Sequence, residues 1–287
     1  MAVTNNLLGL SFGIRLRKRV ITVVQQFRML AVINDLWFII AIFKFIATYL
    51  RLMTYCRQKT HGFTLLELLT VVVIIAVLCS ILIPALHEVR KSAQQAKCAS
   101  NMRQIGCALL LYAATNDNRL PETSHTAAFG QSWIYTLSDY LGDCDEVRIC
   151  PADPKGDRRF DAGGTSYILN SFLFVPQIDP FGQPIGGPSN NLTLIESPAE
   201  TPMAFIIADS QGVGDANDHT HSNRWGSWSA VVRDISPGRF GGGNSPMKAL
   251  GSSNYLFADG HVEQVDAAVM KARIDSGDNF AKPRCRL

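Results

Sequence analysis

Four groups of residues in this chain have the types and spacing for chemistry. Residues 208–223 gather Asp209, Asp215, Asp218, His219 and His221 in one polar stretch. Asp209, Asp215 and Asp218 suit a hard cation such as Ca²⁺, whereas the His-x-His pair suits Zn²⁺. Their spacing fits neither an EF-hand nor a zinc finger, so a solvated polar loop is the simpler reading. Asp259 and His261 can be drawn as an acid/base pair with His219 or His221. No His-Glu-x-x-His and no phosphate-binding Gly-rich loop accompanies them, and Asp259-Gly260 reads as a turn. The expectation is a protein that is not an enzyme. Cys98 and Cys150 are the disulfide candidates among seven cysteines. Cys144–Cys150, or free buried thiols, fit the spacing as well. Glu67 is a single carboxylate at the head of the uncharged run Leu68–Leu86. Such a charge is expensive in lipid and needs a partner or a task.

The elements that must carry these residues follow from the pattern. Leu68–Leu86 is nineteen residues long, which as a helix nearly spans the hydrocarbon core of a bilayer. Pro84 kinks rather than ends such a helix. Beyond it Cys98, Met102, Ile105, Leu109 and Tyr112 recur at intervals of three and four, one apolar stripe made to pack on a globular head. Asn116-Asp117-Asn118 and Pro121 stop the helix at about residue 116. A short amphipathic helix is expected over 131–141. Strands are expected at Val147–Cys150, Ser166–Leu169, Phe172–Val175, Met203–Ala208, Ala230–Val232, Tyr255–Ala258 and Val262–Val265, with a closing helix over Ala267–Ser276. Residues 176–191 and 236–253 read as Pro/Gly-rich loops. The fold class is α+β: a long hydrophobic helix packed on an antiparallel sheet.

Charge divides the chain at Gly62. Residues 1–62 hold nine Lys/Arg and one acid, residues 63–287 eighteen Lys/Arg and twenty-three acids. The acidic larger part has no electrostatic footprint for nucleic acid. The basic part lies where positive charge holds a segment on the cytoplasmic side. Met29–Leu50 is apolar, but basic residues flank both ends and no single orientation follows. A start at Met53 gives instead a short basic leader of ten residues, 53–62. The expected organisation is 1–62 as leader or upstream segment, 63–116 as helix and 117–287 as head.

Residues 59–78, Lys-Thr-His-Gly-Phe-Thr-Leu-Leu-Glu followed by an apolar helix, resemble the processing and methylation motif of type IV pilins and type II secretion pseudopilins. The resemblance implies cleavage by a prepilin peptidase after Gly62 and N-methylation of Phe63. It implies that Glu67, fifth residue of the mature chain, pairs with a terminal amine during filament assembly. It further implies a lollipop-shaped, single-pass protein of the cytoplasmic (inner) membrane, with its head in the periplasm or outside the cell. Its partners would be other pilin-like subunits, a secretion or pilus assembly platform and membrane lipid.

The head resembles a subgroup of pilin-like proteins, abundant in Planctomycetes, whose C-terminal processing-associated domain carries a His, nine residues, then Asp-Gly. Lys97-Cys98, Asn101 to Gly106, Cys150 to Asp153, Ser166 to Asn170 and Asn254 to Val262 carry that resemblance. The His is not matched, since Ala249 stands ten positions before Asp259. A second function remains open: a membrane-anchored envelope protein whose head binds glycan or calcium without polymerising. Trp133, Trp225, Trp228, Phe240 and Tyr255 are the aromatics that could stack on sugar rings; core packing is their other use.

Overall fold

In the computed structural model the described residues are 65–125, 132–142, 144–175, 190–243 and 245–283, without the side chains of Leu66, Glu67, Ile81, Pro84 and His87. Gly62, Phe63, Cys56, Cys285, residues 1–52 and residues 176–189 of the loop expected over 176–191 lie outside them. The chain divides into two units, Met1–Ala76 and Val77–Leu287. The described part of the first, 65–76, is helical.

Helix α1 spans Leu65–Thr115. Its end has a local cause. The backbone N–H groups of Asn116 and Asn118 both donate to the Ala113 carbonyl, at 3.1 and 2.8 Å. Asp117 and Asn118 take left-handed backbone angles, φ 53° and 61°, which Asp and Asn tolerate better than other non-glycine residues. Among the described residues no helix is long and apolar enough to cross a membrane.

The second unit is built on a four-stranded antiparallel sheet in the order β1 (Tyr167–Leu169), β2 (Pro202–Ile206), β3 (Ser252–Phe257), β4 (Val262–Asp266). Side chains alternate across it. Tyr167, Leu169, Ala204, Ile206 and Leu256 share one core with Cys98, Met102, Ile105, Ala108 and Leu109 of α1. Ile168, Phe205, Tyr255 and Phe257 share the opposite core with α6 (Trp228–Asp234) and α7 (Ala267–Asp275). A bulge between Pro202 and Ala204 breaks the alternation, so Met203 joins Ala204 on the α1 side. Gly106 lets the helix come close to the sheet: a Cβ there would lie 2.7 Å from Leu256 Cδ1.

Four further short α-helices are present among the described residues, α2 (Trp133–Thr136), α3 (Ser138–Leu141), α4 (Gly156–Asp161) and α5 (Ser171–Phe174), with short 3-10 turns between elements. Three of the expected strands are corrected. Residues 172–175 belong mainly to α5, because the Asn170 side chain caps it by accepting from the Phe172 N–H at 3.1 Å. Residues 230–232 lie in α6, whose Trp228 and Val231 turn inward at helical spacing. Val147–Arg148 belongs to a 3-10 turn, Asp145–Arg148. Each is an apolar run too short for its period to distinguish helix from strand.

Candidate functional site

The first site is the surface of α1. Leu68, Leu69, Val71, Val72, Val73 and Ile75 are exposed in the first unit, and Leu82, Ile83, Leu86 and Val89 in the second. An apolar surface of this extent on a helix requires lipid or other protein to cover it. Glu67 lies on the same helix, and its side chain is outside the described set.

The second site is the seam between α1 and the sheet. Cys98 and Cys150 are buried free thiols in hydrogen-bond contact with each other. Burial pushes the Cys98 thiol up; the hydrogen bond from Cys98 brings the Cys150 thiol down. The Tyr167 hydroxyl lies 3.4 Å from Cys98 Sγ. Asn101 Nδ2 donates to the Ile149 carbonyl at 2.9 Å, and Asn254 Nδ2 to the Gln95 carbonyl at 3.0 Å. Behind Cys150, Asp153 and Arg159 form an ion pair at 2.9 Å, both side chains 0% exposed. Asp153 also accepts from Ser166 Oγ at 2.7 Å and the Lys155 N–H at 2.9 Å. Arg159 donates to the Gly212 and Ala208 carbonyls. The segments quoted for the head resemblance thus meet in one place, where they tie helix to sheet. Arg159 escaped the sequence reading, because nothing in its spacing from Asp153 marks it as a partner.

The residues picked as a cation site separate. Asp209 pairs with Arg239 at 2.7 Å, and Asp215 accepts from the Tyr135 hydroxyl at 3.0 Å. Asp218 turns inward, where Oδ1 lies 2.7 Å from His219 Nδ1 and Ser124 donates to both oxygens. The three carboxylates therefore do not converge. The group that does is His125, His219 and His221, whose ligand atoms all lie within 4.8 Å of one another. Burial, then the neighbouring imidazoles, hold His125 below the usual histidine range. His125 was missed because it stands alone in a loop far from the other two in sequence. Asp259 and His261 pair with each other, Oδ1 to Nδ1 at 2.5 Å, and the imidazole stacks on Phe257. Burial alone would raise Asp259, but the backbone N–H and ring of His261 hold it below the usual carboxylate range. Trp133, Trp225, Trp228, Phe240 and Tyr255 are all buried in the two cores, so they offer no face to a sugar.

Residues 57–83, which include Gly62, Phe63 and Glu67, match the prokaryotic N-terminal methylation motif. The chain is 31% identical over 102 residues to a type II secretion system core protein G of Klebsiella michiganensis, covering 35% of this chain and 71% of that protein. It is 37% identical over 67 residues to the core protein G of Aeromonas hydrophila, covering 23% of this chain and 46% of that protein. No solved structure matches it. The methylation motif, with the 31% identity to a core protein G of which 71% is covered, places this chain in the type II secretion core protein G family of pilin-like proteins, the pseudopilins.

Proposed function

We propose that this chain is a pseudopilin subunit, cut by a prepilin peptidase after Gly62, methylated at Phe63, and assembled with other pilin-like subunits into a filament of a type II secretion machine. The observation that carries this reading is the methylation motif over residues 57–83. Before assembly Leu68–Leu86 spans the inner membrane once, and the head stands in the periplasm, as in a lollipop. The exposed apolar surface of α1 supports this, because lipid covers it before assembly and neighbouring helices cover it afterwards. The role is structural, with no chemistry asked of the head. Intact mass and N-terminal sequencing of protein extracted from native membranes test it. The expected start is N-methyl-Phe63. A start at Met1 or Met53 overturns the processing step and with it the filament role.

Glu67 then answers a neighbour's terminal ammonium inside an apolar helix bundle. Glu67→Ala leaves cleavage after Gly62 intact and lowers incorporation into filaments by about tenfold or more, since an uncompensated charge there costs several kcal/mol. Sheared-filament fractions immunoblotted against membrane fractions give the ratio. Wild-type incorporation of the variant removes Glu67 from assembly.

A further inference from the structure

Filament assembly leaves the three imidazoles unused. Ring centroids are 4.5 Å apart for His125 and His219, 5.5 Å for His219 and His221, and 6.5 Å for His125 and His221. The His219 side chain is 7% exposed. Its Nδ1 is engaged by Asp218, and its Nε2 is buried without a hydrogen-bond partner among the described residues. A buried imidazole nitrogen left unpaired is costly, and native proteins rarely leave one without a reason. The Asp218 carboxylate is fully buried, and among the described residues it accepts from the Ser124 N–H and hydroxyl besides its contact with His219. A carboxylate taken out of water in this way calls for a cation nearby. Asp234, also buried, accepts from the His221 N–H at 2.8 Å and from Trp225 Nε1 at 2.9 Å, and lies 3.8 Å from His221 Nδ1. The His219 imidazole is thus backed by a buried carboxylate, the arrangement that orients histidine toward a metal, while the Asp234 carboxylate holds the His221 backbone.

We propose that His125, His219 and His221 bind one divalent transition-metal ion of the zinc class, with His219 Nε2 as the anchored ligand. Three nitrogen donors favour zinc over Ca²⁺, which collects six to eight oxygens. Nitrogens around one tetrahedral zinc lie roughly 3.4 Å apart. Ligand atoms already within 4.8 Å reach that spacing by rotation of the two exposed rings, His125 and His221. The ion joins the loop after α1 to the segment beside β1, where His219 bridges Leu169. The site stands apart from the filament role, and neither depends on the other.

The test uses the full chain in detergent, stripped with a chelator, dialysed, and titrated with zinc chloride against a chromophoric competitor. Wild type takes up about one zinc per chain, and its melting temperature rises with zinc concentration. The double variant H125A/H221A alters only exposed rings, keeps the circular dichroism of the wild type, and loses the zinc uptake and the thermal shift. Asp218→Asn weakens zinc binding by about 10–100-fold. The proposal is overturned if wild type takes up no zinc, or if the double variant retains wild-type stoichiometry, which would move the metal to the cysteines. It is equally overturned if calcium chloride, and not zinc, produces the thermal shift.

Discussion

Replacing Asp153 by Ala lowers the stability of the head by about 3–5 kcal/mol, because it strands a buried guanidinium. Arg159 is 0% exposed, and Asp153 is the carboxylate it meets at 2.9 Å. Its remaining partners are neutral carbonyls, of Gly212 and Ala208, which do not balance its charge. Single domains are stable by only about 5–15 kcal/mol in all, so the variant sits near the edge of folding. Asp153→Asn keeps the shape but loses the charge and turns one of the two accepting oxygens into an N–H donor, and falls between wild type and Ala. The double variant Asp153→Ala with Arg159→Met removes both charges and recovers part of the loss, as buried pairs replaced by apolar side chains do. Urea denaturation followed by circular dichroism reads all three. An Asp153→Ala midpoint within error of wild type would mean that water reaches Arg159 and that the pair does not hold the seam.

The second large effect concerns Cys98 and Cys150. The two thiols are free, buried and in the same core, one on α1 and one in the loop before α4. In an oxidising compartment such a pair gives up two hydrogens to a disulfide-forming oxidant and closes a loop of about fifty residues, which stabilises the head by about 2–4 kcal/mol. Protein from native membranes is then about 2 Da lighter than its reduced form, and its Cys98 and Cys150 peptides stay joined until a reductant is added. Reduction lowers the denaturation midpoint; in the Cys98→Ala/Cys150→Ala variant it has no such effect. Full alkylation of both cysteines in unreduced, denatured protein would show that they remain thiols. Cys150→Ser alone would not be informative, since it adds a hydroxyl to an apolar seam.

Much of the frame was legible because it rests on long patterns. The apolar stripe Cys98, Met102, Ile105, Leu109 names the buried face of α1, and Asn116-Asp117-Asn118 marks its end. Asp259-Gly260 announces the β3–β4 hairpin, with Gly260 at φ 90°. What failed was short or non-local. The runs at 172–175 and 230–232 contain the residues of strands, yet the Asn170 cap and the inward Trp228 and Val231 make them helices. The acidic stretch 209–218 reads as one ligand set in sequence, but its side chains diverge to Arg239, Tyr135 and His219. The imidazole cluster was only two-thirds visible. Ser124, which Asp218 holds beside His125, is 94 positions away from it, and only the fold brings them together.

The two margins of the sheet have a consequence for crowding. The outer side of β1 is three residues long and already taken, since Leu169 donates to the Asp218 carbonyl at 2.9 Å and accepts from the Thr220 N–H at 2.8 Å. The outer side of β4 carries Glu263 and Asp266, exposed and both negative. One margin therefore has no free backbone to offer a second molecule at Leu169, and the other presents like charges to its own copy. Many such heads can be held side by side at high local concentration without zipping into a continuous sheet.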